Sequence, residues 1–206
     1  MPDQLNLFGG DGSPPRAERP ANGRKPGEPR KRFKLFFAIL PDAVTAAEIS
    51  KLGIRLDRQY GIHGDPLKTD RLHITLHVLG EYDERPDDVI DMGKRVGDLM
   101  HAAPFEVMFD RAMTFNTSSN PYVLLVSEST DKAIRDFWLS LGMEIANFRP
   151  FRKPKFKPHM TLSYKGNVTP EHPIEPIRWT AREFVLINSH VGETYHEHVG
   201  HWPLTE

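Results

Sequence analysis

Two short segments of this sequence repeat each other, His73-Ile74-Thr75-Leu76 and His159-Met160-Thr161-Leu162, 86 residues apart. On a β-strand successive side chains alternate faces. His73 and Thr75 therefore share one face, and Leu72, Ile74 and Leu76 the other; His159 and Thr161 repeat this over Met160 and Leu162. One face is apolar and suits packing on helices, while the other presents an imidazole beside a hydroxyl, twice. Two imidazoles in one cleft act as general base and general acid near neutral pH, because histidine's pKa lies near about 6.5. The threonine hydroxyls donate hydrogen bonds to a phosphoryl oxygen that gains negative charge. Such chemistry needs neither metal nor cofactor.

Cations stand near both motifs. Arg71 precedes His73 by two, and Arg149 to Pro158 holds five basic residues and no acid. If the second strand begins early, Lys155 and Lys157 share the cleft face with His159, and the interleaved aromatics suit base stacking. His77 follows His73 by four. On a strand that spacing spans about 13 Å, too far for a shared zinc, so His77 reads as cleft-lining. His196, His198 and His201 form a further group, read as an ordinary strand face.

These residues need a frame. Lys34 to Leu40 is a continuous apolar run closed by Pro41-Asp42, a buried strand followed by a helix start. Asp42 caps a helix toward Tyr60, with Val44, Ala47, Ile49 and Leu52 inward. Strands are expected at 72–80, 105–115, 122–127, 159–164, 182–189 and 195–202. Helices are expected at 87–103, with Val89, Met92, Val96, Leu99 and Met100 inward, and at 129–148. The order reads as α+β with antiparallel pairing, and the repeated motif suggests an internal duplication.

The whole chain has 206 residues, ten histidines, no cysteine and a net charge of −1. Disulfides, thiolate metal sites and a Cys nucleophile are excluded. The near-neutral charge argues against non-specific coating of nucleic acid. No apolar run reaches the roughly 20 residues of a membrane span, so a cytoplasmic monomer is expected. Residues 1–32 carry six Pro, five Gly and a charge of +3, the composition of a disordered tail. The core, 33–206, then carries −4.

At the paired motifs the chain resembles the two-histidine (2H) phosphoesterases, in their bacterial 2'-5' RNA ligase branch, the RNA 2',3'-cyclic phosphodiesterases. The resemblance spans Phe33 to Asp42, Arg71 to Glu81, Phe156 to Leu162 and Glu183 to Leu204, which ends in Trp-Pro-Leu. It implies a bilobal fold with pseudo-two-fold symmetry, antiparallel sheets lining a central cleft and helices outside. It implies His73 as proton donor and His159 as proton acceptor, opening a 2',3'-cyclic RNA end to a 2'-phosphate, with 2'-5' ligation as the reverse. Thr75, Thr161, Arg71, Lys155, Lys157 and Tyr164 are the expected substrate contacts. Tyr164 departs from the family, which commonly places an arginine there. Rival readings are an RNA-end binding module, a phosphodiesterase of a small cyclic nucleotide, and a metal hydrolase at the histidine group. In the tail, Gln4-Leu5-Asn6-Leu7-Phe8 resembles the peptide by which bacterial proteins dock on the DNA sliding clamp, a second expected partner.

Overall fold

The computed structural model describes residues 32–150 and 155–206. The expected tail and its Gln4–Phe8 segment lie outside them. The described chain runs β1 (Arg32–Ile39), α1 (Ala43–Tyr60), β2 (Asp65–Pro66), a 3₁₀ turn (Thr69–Arg71), β3 (Ile74–Tyr82), α2 (Asp87–Leu99), β4 (Phe105–Thr114), β5 (Tyr122–Val126), α3 (Glu128–Ala146), β6 (His159–Tyr164), β7 (His172–Ala181), β8 (Glu183–Val191) and β9 (Tyr195–Pro203). The fold is α+β, as expected.

All the strands join one antiparallel sheet in the order β7-β4-β5-β6-β3-β1-β8-β9, with β2 added beside β6. The order falls into two four-stranded halves. In one, β1-α1-β3 carries the first motif; in the other, β5-α3-β6 carries the second. The halves meet between β3 and β6 through one pair, Ile74 with Met160. Each of these residues directly follows a motif histidine, so the pseudo-two-fold axis passes between the motifs.

Alternation then separates two faces. Leu35, Phe37 and Ile39 belong to the main core with Ile49 and Leu52 of α1, Ile90 of α2, and Phe137 and Trp138 of α3. Phe36 and Ala38 point the other way and form a small buried cluster with Val185 and Ile187. That second cluster floors the open side of the sheet.

The α1 start is built as expected: Asp42 accepts from the Thr45 N–H and hydroxyl, both at 2.9 Å. These bonds hold its carboxyl below the usual range. The buried stripe of α1 is Thr45, Ala46, Ile49, Leu52 and Leu56. The expected Val44 and Ala47 face solvent, because Ile49 sets a stripe whose i−3 and i−4 positions are 46 and 45. In α2 the buried positions are Ile90, Gly93, Val96 and Gly97. Leu99 lies outward and the helix ends there, ahead of Pro104. Strand β7 escapes the alternation reading because Pro173 and Pro176 interrupt it. It is an edge strand paired only with β4, and prolines are tolerated on edge strands.

Gly93 and Gly97, one turn apart, let α2 lie against Leu186 and Trp202. A Cβ at Gly97 would run into the Trp202 ring. Gly97→Ala should therefore cost about 1–3 kcal/mol by overpacking, outweighing alanine's helix advantage of about 1 kcal/mol. Urea denaturation checks this, with the exposed Lys94→Ala as a control within about 0.5 kcal/mol. An unchanged midpoint for Gly97→Ala would show that Trp202 yields freely.

Candidate active site

The register that pairs Ile74 with Met160 sets His73 opposite Thr161 and His159 opposite Thr75. Each motif histidine is thus set across the sheet from the threonine of the other half. Both motif histidines and both threonines are half-buried on the open face.

The two rings are held in the same way. His73 Nδ1–H donates to the Arg71 carbonyl at 2.7 Å. His159 Nδ1–H donates to the Lys157 carbonyl, also at 2.7 Å. The repeat is therefore longer than its sequence pattern: a cation, two residues upstream, offers its carbonyl to the histidine. With Nδ1 as donor, Nε2 of each ring carries the lone pair. Packing fixes the planes. His73 stacks on Phe36 at 5.1 Å between centroids, and His159 meets Phe115 edge-on at 4.9 Å.

Burial favours the neutral form of both rings. His73 is pushed down to about 4, first by desolvation and then by the nearby charges of Arg71, His159 and Lys34. His159 is lowered for the same first reason, and by Lys157. Charging His73 in the free protein at neutral pH costs on the order of 4 kcal/mol. A negative charge placed near an imidazole lowers such a cost, because it favours the imidazolium form.

The predicted cations separate into two sets. Arg71 and Lys157 stand at the rings. The Lys157 ammonium lies 5.1 Å from the Phe115 centroid, the ring that also touches His159. Lys155 instead lines a hollow of about 510 Å³ with His77, Trp138, Arg149 and Phe156. Residues 155–158 are not strand, so the expected two-residue period does not extend to Lys155. Tyr164 is exposed where β6 meets β2, opposite Asp65. Its neighbour Lys165 pairs with Asp65 at 2.9 Å.

His77 is not cleft-lining. Between the pairs Ala38–Thr75 and Phe36–Val78, two steps on β1 face three on β3. This bulge turns both Leu76 and His77 inward. His77 Nε2 bonds the Trp138 carbonyl at 2.7 Å, and its ring stacks on the indole at 4.8 Å. The alternation rule fails at that one inserted residue.

A further neighbour of His73 has no local signature in the sequence. His196 on β9 sits edge-on to His73 at 5.3 Å and hydrogen-bonds Arg71 at 3.0 Å. It is not part of an ordinary strand face. Its closeness depends on β9 pairing β8, β8 pairing β1 and β1 pairing β3, which no local pattern encodes. His198 and His201 lie 5.3 Å apart further along β9. Among the described residues no group of three or more His, Cys, Asp or Glu is placed to hold a metal ion. Nor is any described helix long and apolar enough to cross a membrane.

No curated protein matches this sequence. Among solved structures, Escherichia coli LigT complexed with 3'-AMP is similar in fold, with 24% identity and a TM-score of 0.62 over 85% of this chain and 99% of that one. The LigT complex with phosphate gives 24% identity and 0.59 over the same shares. TT0787 of Thermus thermophilus gives 25% identity and 0.53, over 83% of this chain and 97% of that one. The family model of the 2'-5' RNA ligase superfamily matches residues 41–193, about three quarters of the sequence, including both His-x-Thr motifs. On that match the chain belongs to the 2'-5' RNA ligase superfamily.

Proposed function

We propose that this protein is a metal-independent RNA 2',3'-cyclic phosphodiesterase that opens the ring to a 2'-phosphate and, in its ligase direction, joins RNA ends through a 2'-5' linkage. One observation carries the reading: two imidazoles on one open face, each fixed through Nδ1–H to the carbonyl two residues upstream. Two rings oriented alike, each set across the sheet from a threonine, suit an in-line displacement at phosphorus. A module that only bound RNA ends would not need two oriented titrating groups. LigT is complexed with 3'-AMP and with phosphate, ligands of the class this site would take.

In the proposed hydrolysis His159 Nε2 takes a proton from the attacking water. The water oxygen bonds phosphorus, the P–O3' bond breaks, and the His73 imidazolium delivers its proton to O3'. The products are a 2'-phosphate and a free 3'-hydroxyl. Thr75 and Thr161 donate to the equatorial oxygens, and Arg71 and Lys157 supply positive charge, one from each half. Tyr164, exposed at the β2 end of β6, would meet the RNA chain beyond the ring, whereas Lys155 lines the hollow beside His77 and Trp138. In ligation a 5'-hydroxyl takes the place of water in the same proton transfers, with the strained ring supplying the drive.

His73→Ala and His159→Ala should each lower kcat by at least about 10²-fold on an oligonucleotide ending in a 2',3'-cyclic phosphate, with unchanged circular dichroism. The double variant should be little worse than either single one, because the pair acts as a unit. Near-parental turnover in either single variant would remove the assignment.

The pH dependence follows from the lowered pKa values. Reaction from the free protein requires the form with one ring protonated and one neutral, and both rings titrate below 6.5. The kcat/KM optimum should thus lie on the acid side of 6.5. In the complex the phosphate anion favours imidazolium, so the kcat optimum should lie at higher pH. Both profiles should be unmoved by EDTA. Loss of activity in EDTA, restored by a divalent ion, would move the chemistry to a metal. Product ends should be 2'-phosphates; mainly 3'-phosphates would reverse the roles of the two histidines.

A further inference from the structure

Arg71 is a half-buried cation with an unusual set of partners. Its Nη2 donates to His196 Nε2 at 3.0 Å, while its Nε is buried and has no hydrogen-bond partner among the described residues. No described carboxylate pairs with it. Arg111, on the other half, shows the alternative: Asp110 and Glu171 hold its guanidinium at 3.1 and 2.8 Å. Two carboxylates cancel the charge of Arg111, whereas an imidazole leaves that of Arg71 intact.

His196 suits this role by its placement. Its strand position opposite Ser189 fixes the backbone. Its ring is edge-on to both His73, at 5.3 Å, and Phe36, at 5.8 Å. Since Nε2 accepts from the guanidinium, the ring proton sits on Nδ1 and the imidazole is neutral. Burial, with His73 and Arg71 close by, keeps it so, at about 3. One end of the guanidinium is thereby tied down near His73, and no other described residue bonds the rest of it.

We propose that His196 is a positioning residue: as a neutral acceptor it holds the Arg71 guanidinium beside His73 as a phosphate-binding fork at full charge. This rests on the phosphodiesterase reading for the identity of the bound phosphate, but not for the binding itself. It would also supply, on the first half of the sheet, the cation that the family commonly places after the second motif.

The test compares His196→Gln, His196→Ala and His196→Glu in the full chain, with inorganic phosphate as the calorimetric probe. Gln keeps a neutral acceptor and should retain most of the parental affinity, within about threefold. Ala should bind about tenfold more weakly, because Arg71 is released. Glu keeps the hydrogen bond but adds a negative charge, and should bind most weakly, by about 10²-fold. In an Arg71→Ala background the Gln and Ala variants should become alike, while Glu keeps only its direct repulsion of the anion. On cyclic-ended RNA, Ala and Glu should raise KM far more than they lower kcat. Equal, near-parental binding by Gln and Glu would show that His196 only fills space. A kcat loss in Gln matching that in Ala would show that its imidazole transfers a proton. Failure of the parent protein to bind phosphate would overturn the proposal. Phosphate binding in the predicted order without turnover of cyclic ends would instead overturn the phosphodiesterase reading alone.

Discussion

The pairing of Ile74 with Met160 is the constraint on which the site depends. It is the one ladder contact between β3 and β6, and it sits between the two motifs. Because its partners follow the two histidines, the antiparallel register crosses each histidine with the other half's threonine. A slip by one residue would turn one motif toward the helices. Both partners are fully buried, so packing beneath the sheet resists such a slip. The apolar positions of the motif thus hold its polar positions in register.

The second constraint acts within each half. A histidine ring has two nitrogens, and which one faces the cleft is decided by the other. Here both rings spend Nδ1–H on the carbonyl two residues upstream. The same short bond therefore fixes tautomer, orientation and distance from a cation, once through Arg71 and once through Lys157. Burial then favours the uncharged form of both rings. Under the proposed function such a site would couple phosphate binding to protonation, which a solvent-exposed histidine pair would not do.

Much of this is legible in the sequence because it is local. The apolar run at β1, the Asp42 cap, and the two His-x-Thr strands all follow from period and capping chemistry. The failures share a different origin. His77 is misplaced by one bulged residue in β3, since alternation carries no information about insertions in a ladder. Strand β7 is hidden because its prolines read as a break, which holds for a central strand but not for an edge. The place of His196 is invisible because it is 125 residues from Arg71 and reaches it only through three successive strand pairings. Lys155 looks equivalent to Lys157 only while the chain before His159 is read as strand, which it is not.

The central claim is that Nε2 of His73 and Nε2 of His159 face one phosphate. Long-range ¹H–¹⁵N correlation of the imidazoles, recorded as a nucleoside 2'-phosphate is titrated in, tests it most directly. The account predicts that both rings begin neutral with the proton on Nδ1. On binding, both Nε2 resonances should move together toward the protonated position while both Nδ1–H signals persist. Movement of only one ring, or proton exchange onto Nε2 in the free protein, would contradict it.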